Sequence, residues 1–353
     1  MKYERIVTIG PGTNAPGMWV DLVDAGATRF RLNTSHMTPD TVERTVRRIR
    51  RADIPQIPIV LDLQGSKWRL GEIEPMELAR GESVELVIGN GGDRSVEDEY
   101  SDSAYSDGTV DGTGMNSETI SGAAGSVRRL PVPHPDFFAA AATGDGTIRL
   151  NDARVELLIE RAESDLLVCT VHCGGPVSSR KGVSLPGATY RREELLPRDA
   201  EIIGRVMNDP GVTFALSYVR DAVEMERFDR ILGGRRRGIA KIERPEAAAS
   251  AAGIAAHAGE IWFCRGDLGA EVGLRNLAEL YVAFNRQVRD LPVPVILAGQ
   301  VLEHMTRSPE PTRSEVCHLL DILQAGYAGI VLSDETAVGD YPVECCRAAA
   351  IFG

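Results

Sequence analysis

Four short segments collect residues able to handle a phosphoryl group. They are Arg31-Leu32-Asn33-Thr34-Ser35-His36, Asp62-Leu63-Gln64-Gly65 with Lys67 and Arg69 just beyond, Lys241-Ile242-Glu243, and Arg265-Gly266-Asp267. Such a group in transfer spreads charge over its equatorial oxygens, so the chemistry needs fixed cations, a metal and carboxylates to hold that metal. Glu243 and Asp267 are hard oxygen ligands suited to Mg2+ or Mn2+, which leave places for water and substrate oxygens. Arg31 offers a planar fork and Lys241 a point charge to the phosphoryl oxygens. Any one of these residues reads equally well as half of a salt bridge. Arg31, Asp62, Lys241, Glu243 and Asp267, five residues at four strand ends, together point to a site.

The segments share a place in a larger pattern. From Arg5 onward the chain repeats a β-branched run, a loop and a stretch of helical periodicity, the signature of parallel βα units. Eight runs centre on Ile6 to Ile9, Arg29 to Leu32, Ile57 to Asp62, Thr213 to Val219, Gly238 to Ile242, Ile261 to Cys264, Val293 to Leu297 and Gly329 to Leu332. Amphipathic helices are expected between them, among them Thr38 to Arg51, Pro245 to His257 and Asn276 to Arg289. Eight such units predict an α/β fold of the (β/α)8 barrel type, with functional side chains at the C-terminal strand ends.

The spacing breaks once, after the third run. Ser83 to Ile88, Thr147 to Leu150, Val155 to Glu160 and Leu166 to Cys173 read as short strands of an inserted β domain. The expected division is therefore 1–70 and 183–353 for the barrel and 71–182 for the insert. Within the insert, 90–126 is rich in Gly, Ser, Asp and Glu and reads as a mobile acidic loop. Asp107, Thr109, Asp111, Gly112 and Glu118 fall at EF-hand spacing there, but Met115 takes a ligand position and no helices flank them. Cys169 and Cys173 alternate with Leu167 and Val171 as one buried strand face, a packing pattern and not half of a zinc site.

Composition narrows the function classes. The 353 residues carry 39 basic and 51 acidic side chains, a net charge of -12 that argues against a nucleic-acid surface. No apolar run approaches membrane-spanning length and no signal peptide opens the chain, so the cytoplasm is expected. The six cysteines lack a disulfide framework.

In order along the chain come Thr8-Ile9-Gly10-Pro11, Arg31-Leu32-Asn33 with Ser35-His36, Leu61-Asp62-Leu63-Gln64-Gly65, Arg180-Lys181-Gly182-Val183 with Leu185-Pro186-Gly187, and Ser217-Tyr218-Val219-Arg220. Lys241-Ile242-Glu243, Arg265-Gly266-Asp267-Leu268-Gly269, Gln300-Val301-Leu302-Glu303, Pro311-Thr312-Arg313-Ser314-Glu315-Val316 and Glu335-Thr336-Ala337 with Gly339-Asp340-Tyr341-Pro342-Val343-Glu344 follow. Together these blocks resemble the pyruvate kinase family over nearly the whole chain. The resemblance implies phosphoryl transfer from phosphoenolpyruvate to ADP with Mg2+ or Mn2+, on a barrel with a β lid inserted after its third strand. It makes Glu243 and Asp267 the metal ligands, and Lys241 and Arg31 the phosphoryl-facing cations. The backbone of Arg265, Gly266 and Asp267 would hold the substrate carboxylate, and Pro11, His36, Arg69 and Lys181 would line the nucleotide side. Many family members bind potassium near the positions of Asn33, Ser35, Asp62 and Leu63. Lys67 stands where they carry Glu, so a tethered ammonium replaces the ion and no potassium requirement is expected.

Departures from the family pattern define the alternatives. Gly299 stands where the family has a substrate-contacting threonine; losing that hydrogen bond would cost about tenfold to a hundredfold in rate and would open space. Met37, Arg244 and Asp334 also depart beside the pocket. The family's regulatory α/β domain does not follow the barrel, so a homodimer through barrel faces is expected in place of a tetramer. The readings carried forward are a pyruvate kinase, a relative acting on another enol phosphate or 2-oxo acid, and a non-catalytic sensor of phosphoenolpyruvate or nucleotide.

Overall fold

In the computed structural model, residues 3–89, 127–151, 153–188, 195–234 and 238–352 are described. The acidic segment 90–126 and its EF-hand-like positions lie outside them. Strands β1 (Glu4–Ile9), β2 (Arg29–Asn33) and β3 (Ile59–Leu63) open the barrel. The chain then leaves it for β4 (Met76–Leu78), β5 (Ser83–Ile88), β6 (Arg128–Val132), β7 (Thr147–Leu150), β8 (Val155–Ala162), β9 (Leu166–Cys173), β10 (Gly175–Val177) and β11 (Val183–Ser184). It returns as β12 (Val212–Leu216), β13 (Gly238–Ile242), β14 (Glu260–Cys264), β15 (Val295–Ala298) and β16 (Gly329–Leu332). Eight parallel strands close in the order β1-β16-β15-β14-β13-β12-β3-β2, as the eight-run pattern predicts.

Helices cover the outside: α1 (Pro16–Asp24), α2 (Pro39–Arg51), then α3 (Pro135–Ala141) in the excursion, α4 (Pro197–Val206), α5 (Ala222–Ile231), α6 (Pro245–Ala249) and α7 (Ala251–Ala255). The circuit ends with α8 (Arg265–Asn285), α9 (Arg313–Ala325), α10 (Asp334–Ala337) and α11 (Pro342–Ala349). None of the described helices is long and apolar enough to cross a membrane. Local chemistry sets their ends. Thr38 caps α2 by accepting from Thr41 N, with Pro39 in the first turn and Arg48, Arg50 and Arg51 in the last. Thr312 and Glu315 form a capping box on α9, and Gly326 ends it in a left-handed conformation.

Strand alternation sends every second side chain inward. At the N-terminal end of the barrel, Arg29 reaches across from β2 to Glu260 on β14, at 2.7 Å. These two strands are not neighbours, so the pair spans the interior. Above it lie Ile6, Val60, Ala215, Ile239, Trp262, Ile296 and Val331, a packed inner core. Two residues further along the same strands come Thr8, Arg31, Asp62, Ser217, Lys241 and Cys264. Nearly all the interior is thus filled: the Arg29–Glu260 pair closes the N-terminal end, and the remaining polar side chains gather in the C-terminal layer.

The excursion builds its own core from Leu78, Val84, Leu86, Leu130, Phe137, Ile148, Leu157, Leu167 and Val171, joined by Trp68 and Leu70. Its six-stranded sheet runs β11-β7-β8-β9-β5-β6, beside a β10-β4 pair. Several boundaries differ from the periodicity. β12 ends at Leu216, because Tyr218 turns left-handed (φ 61°). The helix expected over Pro245 to His257 breaks at Ser250. The helix expected from Asn276 begins at Arg265 and is interrupted at Gly273 (φ 79°). Cys169 and Val171 are buried, but Cys173 is exposed at the strand end, which corrects the expected four-residue face. No group of three or more His, Cys, Asp or Glu arranged for a metal occurs among the described residues.

Closure of the barrel leaves no room for a side chain at Gly329, where an added Cβ would overlap the Glu4 carbonyl oxygen on β1. Gly329→Ala should therefore destabilise the fold by about 2 kcal/mol through forced strand displacement, measured by urea unfolding.

Candidate active site

Three cations and three carboxylates meet at the C-terminal end of the barrel. Arg31 donates through Nε and Nη2 to Asp62 Oδ2, at 2.8 and 2.6 Å, and through Nη1 to Thr8 Oγ1, at 2.9 Å. Lys241 Nζ lies 3.0 Å from Asp62 Oδ1 and 2.9 Å from Glu243 Oε1, and donates to Ser217 Oγ at 2.9 Å. Ser217 in turn donates to the Leu63 carbonyl at 2.7 Å. Lys67 pairs with Asp267 Oδ1.

Burial sets the charge states. It presses the Lys241 ammonium toward neutrality, but Asp62 and Glu243 outweigh that and hold its pKa above the ordinary lysine range. Arg31 likewise stays charged through Asp62. Asp62 is pushed up by desolvation, yet Lys241 and Arg31 bring it below the usual carboxylate value. Glu243 is pushed up to about 7, by desolvation first and by Asp267, with Lys241 opposing. Asp267 goes the other way, because Lys67 overcomes its desolvation.

Glu243 is fixed from behind. Its Oε2 accepts from Tyr218 N at 2.8 Å, and it is this bond that the left-handed turn at Tyr218 makes possible. A bulky residue held at positive φ stores about 1 to 2 kcal/mol. Glu243 Oε1 completes no hydrogen bond of acceptable geometry, although the Lys241 ammonium lies within ion-pair range. Two carboxylates pressed together in this layer, one of them sharing the Lys241 ammonium with Asp62, form an arrangement that a hard divalent cation would relieve.

The other expected positions fall into separate groups. Arg265, Gly266 and Asp267 start α8 with Cys264 as its cap, so their backbone N–H groups are the unpaired donors of a helix N-terminus. The Arg265 side chain turns away to the Gly299 carbonyl, at 3.0 and 2.7 Å. Gly299 itself is left-handed (φ 90°), and a Cβ there would stand 2.9 Å from Gly266 N. A side chain at this position would be crowded: the glycine permits the close approach of its loop to α8.

Arg69 and Lys181 join Arg180 and Arg198 around His36, whose pKa falls to about 3 through desolvation and these charges. Pro11 opens a turn packed on α10, at the end of β1. Asn33 accepts from Ser35 N at 3.3 Å as a local cap, while Asp62 and the Leu63 carbonyl are engaged as described. Lys67 was expected to serve this same region, but its ammonium is placed on Asp267, across the mouth.

Met37 and Arg244 are likewise engaged: the Met37 carbonyl accepts from Arg198, and Arg244 pairs with Glu246 at 2.6 Å. Asp334 is exposed and acts on Arg31 and Glu303. Thr8 and Ser217 were not singled out as site residues, although their strand-end positions were the available signal. The inserted sheet touches the mouth through Arg149 Nη1, which donates to the Ala270 carbonyl at 2.7 Å, and through Arg154, 3.7 Å from Glu303.

A family model described as pyruvate kinase, barrel domain, matches residues 117–346. The chain belongs to the pyruvate kinase family. It is 32% identical to a pyruvate kinase of Agrobacterium vitis over 97% of its length, and 31% identical to one of Methylorubrum extorquens over 98%. A pyruvate kinase of Thermococcus litoralis is 30% identical over 97%. The chain covers 66%, 67% and 67% of these three relatives, so it spans about two thirds of their length. Within the pyruvate kinase family frame, the ten sequence blocks fall on strand ends, on the return from the inserted sheet, on the starts of α8 and α9, and on α10 and the start of α11.

Removing the Lys67 ammonium would leave Asp267 buried against Glu243. With EDTA present, Lys67→Met should cost about 3 kcal/mol at pH 8. Asp267 is held below its ordinary value, so its contribution exists above the usual carboxylate range and is lost as pH falls through the folded pKa. The gap between wild type and variant should accordingly close on acidification, as read by urea unfolding across pH.

Proposed function

We propose that this protein transfers a phosphoryl group from phosphoenolpyruvate to ADP, yielding pyruvate and ATP. The observation that carries the reading is the buried layer in which Arg31 and Lys241 share Asp62, beside the Glu243–Asp267 pair. Membership of the pyruvate kinase family supports the same chemistry.

Arg31 and Lys241 keep their protons, so they act as fixed positive charge toward the equatorial oxygens of the group in transfer, not as acids. Because both are already bonded to Asp62, little reorganisation is needed when charge develops. The P–O bond to the enol oxygen breaks as a bond to the terminal ADP oxygen forms, and the enolate left behind takes a proton at C3 to give pyruvate. The first-turn N–H groups of α8 fit the substrate carboxylate. His36, kept neutral among Arg69, Lys181, Arg180 and Arg198, fits the nucleotide phosphates, with Pro11 on the adjoining strand end.

Glu243 and Asp267 would hold the divalent metal, Mg2+ or Mn2+, which supplies electrophilic charge to the transferring oxygens. Lys67 supports a reaction without potassium: its ammonium adds built-in charge beside Asp267, while Asn33, Asp62 and the Leu63 carbonyl already have protein partners. Association of two copies through the barrel faces is consistent with exposed Leu274 and Val282 on α8 and Leu320 on α9. A different enol phosphate or 2-oxo acid is the alternative that Gly299 and Asp334 suggest; against it, the Gly299 backbone lies close against the start of α8.

Three outcomes follow. Pyruvate should form from phosphoenolpyruvate and ADP with Mn2+, and Lys241→Met should lower kcat by about 10²- to 10³-fold; no turnover by the wild type would overturn the proposal. The rate should be indifferent to potassium, whereas Lys67→Glu should make it potassium-dependent by about tenfold. Because metal uptake must displace the proton that Glu243 holds up to about 7, Mn2+ affinity should rise about tenfold per pH unit below that value and level off above it. Calorimetric titration from pH 5.5 to 8 reads this directly.

A further inference from the structure

Arg265 does more than begin α8. Its Nε and Nη2 donate to the Gly299 carbonyl, and Nη2 also reaches the Gln300 carbonyl at 2.9 Å. Gly299 and Gln300 are both left-handed (φ 90° and 53°), a conformation that glycine takes freely but that needs outside support at Gln300. One guanidinium holds both carbonyls of this pair. Its third nitrogen, Nη1, lies 2.8 Å from His318 Nε2 on α9. An arginine stays protonated and can only donate. His318 must therefore be neutral, with its proton on Nδ1 and its Nε2 lone pair facing Arg265.

We infer that His318 is a positioning residue for the substrate-carboxylate turn: by accepting from Arg265 it fixes the fork that holds the Gly299–Gln300 loop against the start of α8. The inference rests on the functional reading above for its substrate, but not for its geometry. The Gly299 Cα sits so close to Gly266 N that a Cβ would stand 2.9 Å away. Freeing Arg265 would let the loop relax away from the donors that meet the carboxylate.

The groups acting on His318 are Arg265 and, with its ring centroid at 5.9 Å, Tyr281 on α8, and Asp321 on its own helix. Tyr281, Tyr327 and Glu335 act on Arg265. Desolvation and Arg265 both disfavour protonation of His318, and its pKa lies below 6.5. The contact is present above that pKa and is lost as pH falls through it.

Ring-nitrogen NMR of the full chain, with steady-state kinetics at saturating Mn2+, tests this. His318 should show the Nδ1–H tautomer and titrate below free histidine, moving up in Arg265→Gln. His318→Ala should raise KM for phosphoenolpyruvate about tenfold with a smaller change in kcat. His318→Gln, which keeps an acceptor near the Nε2 position, should restore KM and lack the acid rise in KM that wild type shows. A histidine titrating as free imidazole and indifferent to Arg265→Gln, or an Ala variant with unchanged KM, would overturn the inference. If wild type does not turn over, the functional reading has failed while the NMR titration still decides this one. If Arg265→Gln does not fold, the tautomer and the His318 variants still decide it.

Discussion

Asp62 carries two cations at once inside a barrel, and the rest of the site follows from that arrangement. A buried carboxylate left alone would be protonated, and two buried cations left alone would shed charge or repel each other. Bonding Arg31 to one oxygen of Asp62 and Lys241 to the other keeps all three ionised away from water. Lys241 then has a direction in which to extend, toward Glu243. Glu243 is short of counter-charge because Lys241 is shared, and its carboxyl is raised toward neutrality. Lys67 prevents the same fate for Asp267. The layer as a whole balances, yet locally it leaves one carboxylate pair under-compensated, at the place suited to a divalent cation.

The scaffold imposes this geometry through two simple rules. Inward residues recur every second position, so Thr8, Arg31, Asp62, Ser217 and Lys241 share one level above an apolar core. Loops at the strand ends then adopt conformations that regular structure does not allow. Tyr218 at positive φ aims its N–H at Glu243, and the Gly299–Gln300 pair lies against α8. Glu335, fully buried, accepts from Val301 N and Leu302 N at 3.1 and 3.2 Å and from Ser333 N at 2.6 Å. One carboxylate thereby ties the loop after β15 to the start of α10. Rigidity of the mouth comes from such buried polar ties, and not from the hydrophobic core alone.

Barrel strands are legible in sequence because burial on both faces demands β-branched runs such as Ile57 to Asp62 and Gly329 to Leu332. Strand β6 is not, since Arg128-Arg129-Leu130-Pro131-Val132 carries charges and a proline that local reading assigns to a loop. The start of α8 is hidden for a similar reason: Gly266, Gly269 and Gly273 dilute its periodicity. Arg31, Asp62, Lys241, Glu243 and Asp267 stand out by type at strand ends, and the structure gathers them. His318 does not stand out, because a histidine in mid-helix gains meaning only from Arg265, 53 positions away. Gly299 was visible, but its meaning was not. A glycine in place of threonine reads as lost volume, whereas the fold uses it for backbone proximity.

If Glu243 and Asp267 form one divalent-metal site inside this balanced layer, both carboxylates are needed to hold the ion. Counting bound Mn2+ by electron paramagnetic resonance at pH 7.5, in wild type and in Glu243→Gln and Asp267→Asn, tests it most directly. One ion per chain, with affinity weakened by at least about tenfold in each variant, is expected. Binding that survives both substitutions, or no binding by the wild type, would contradict it.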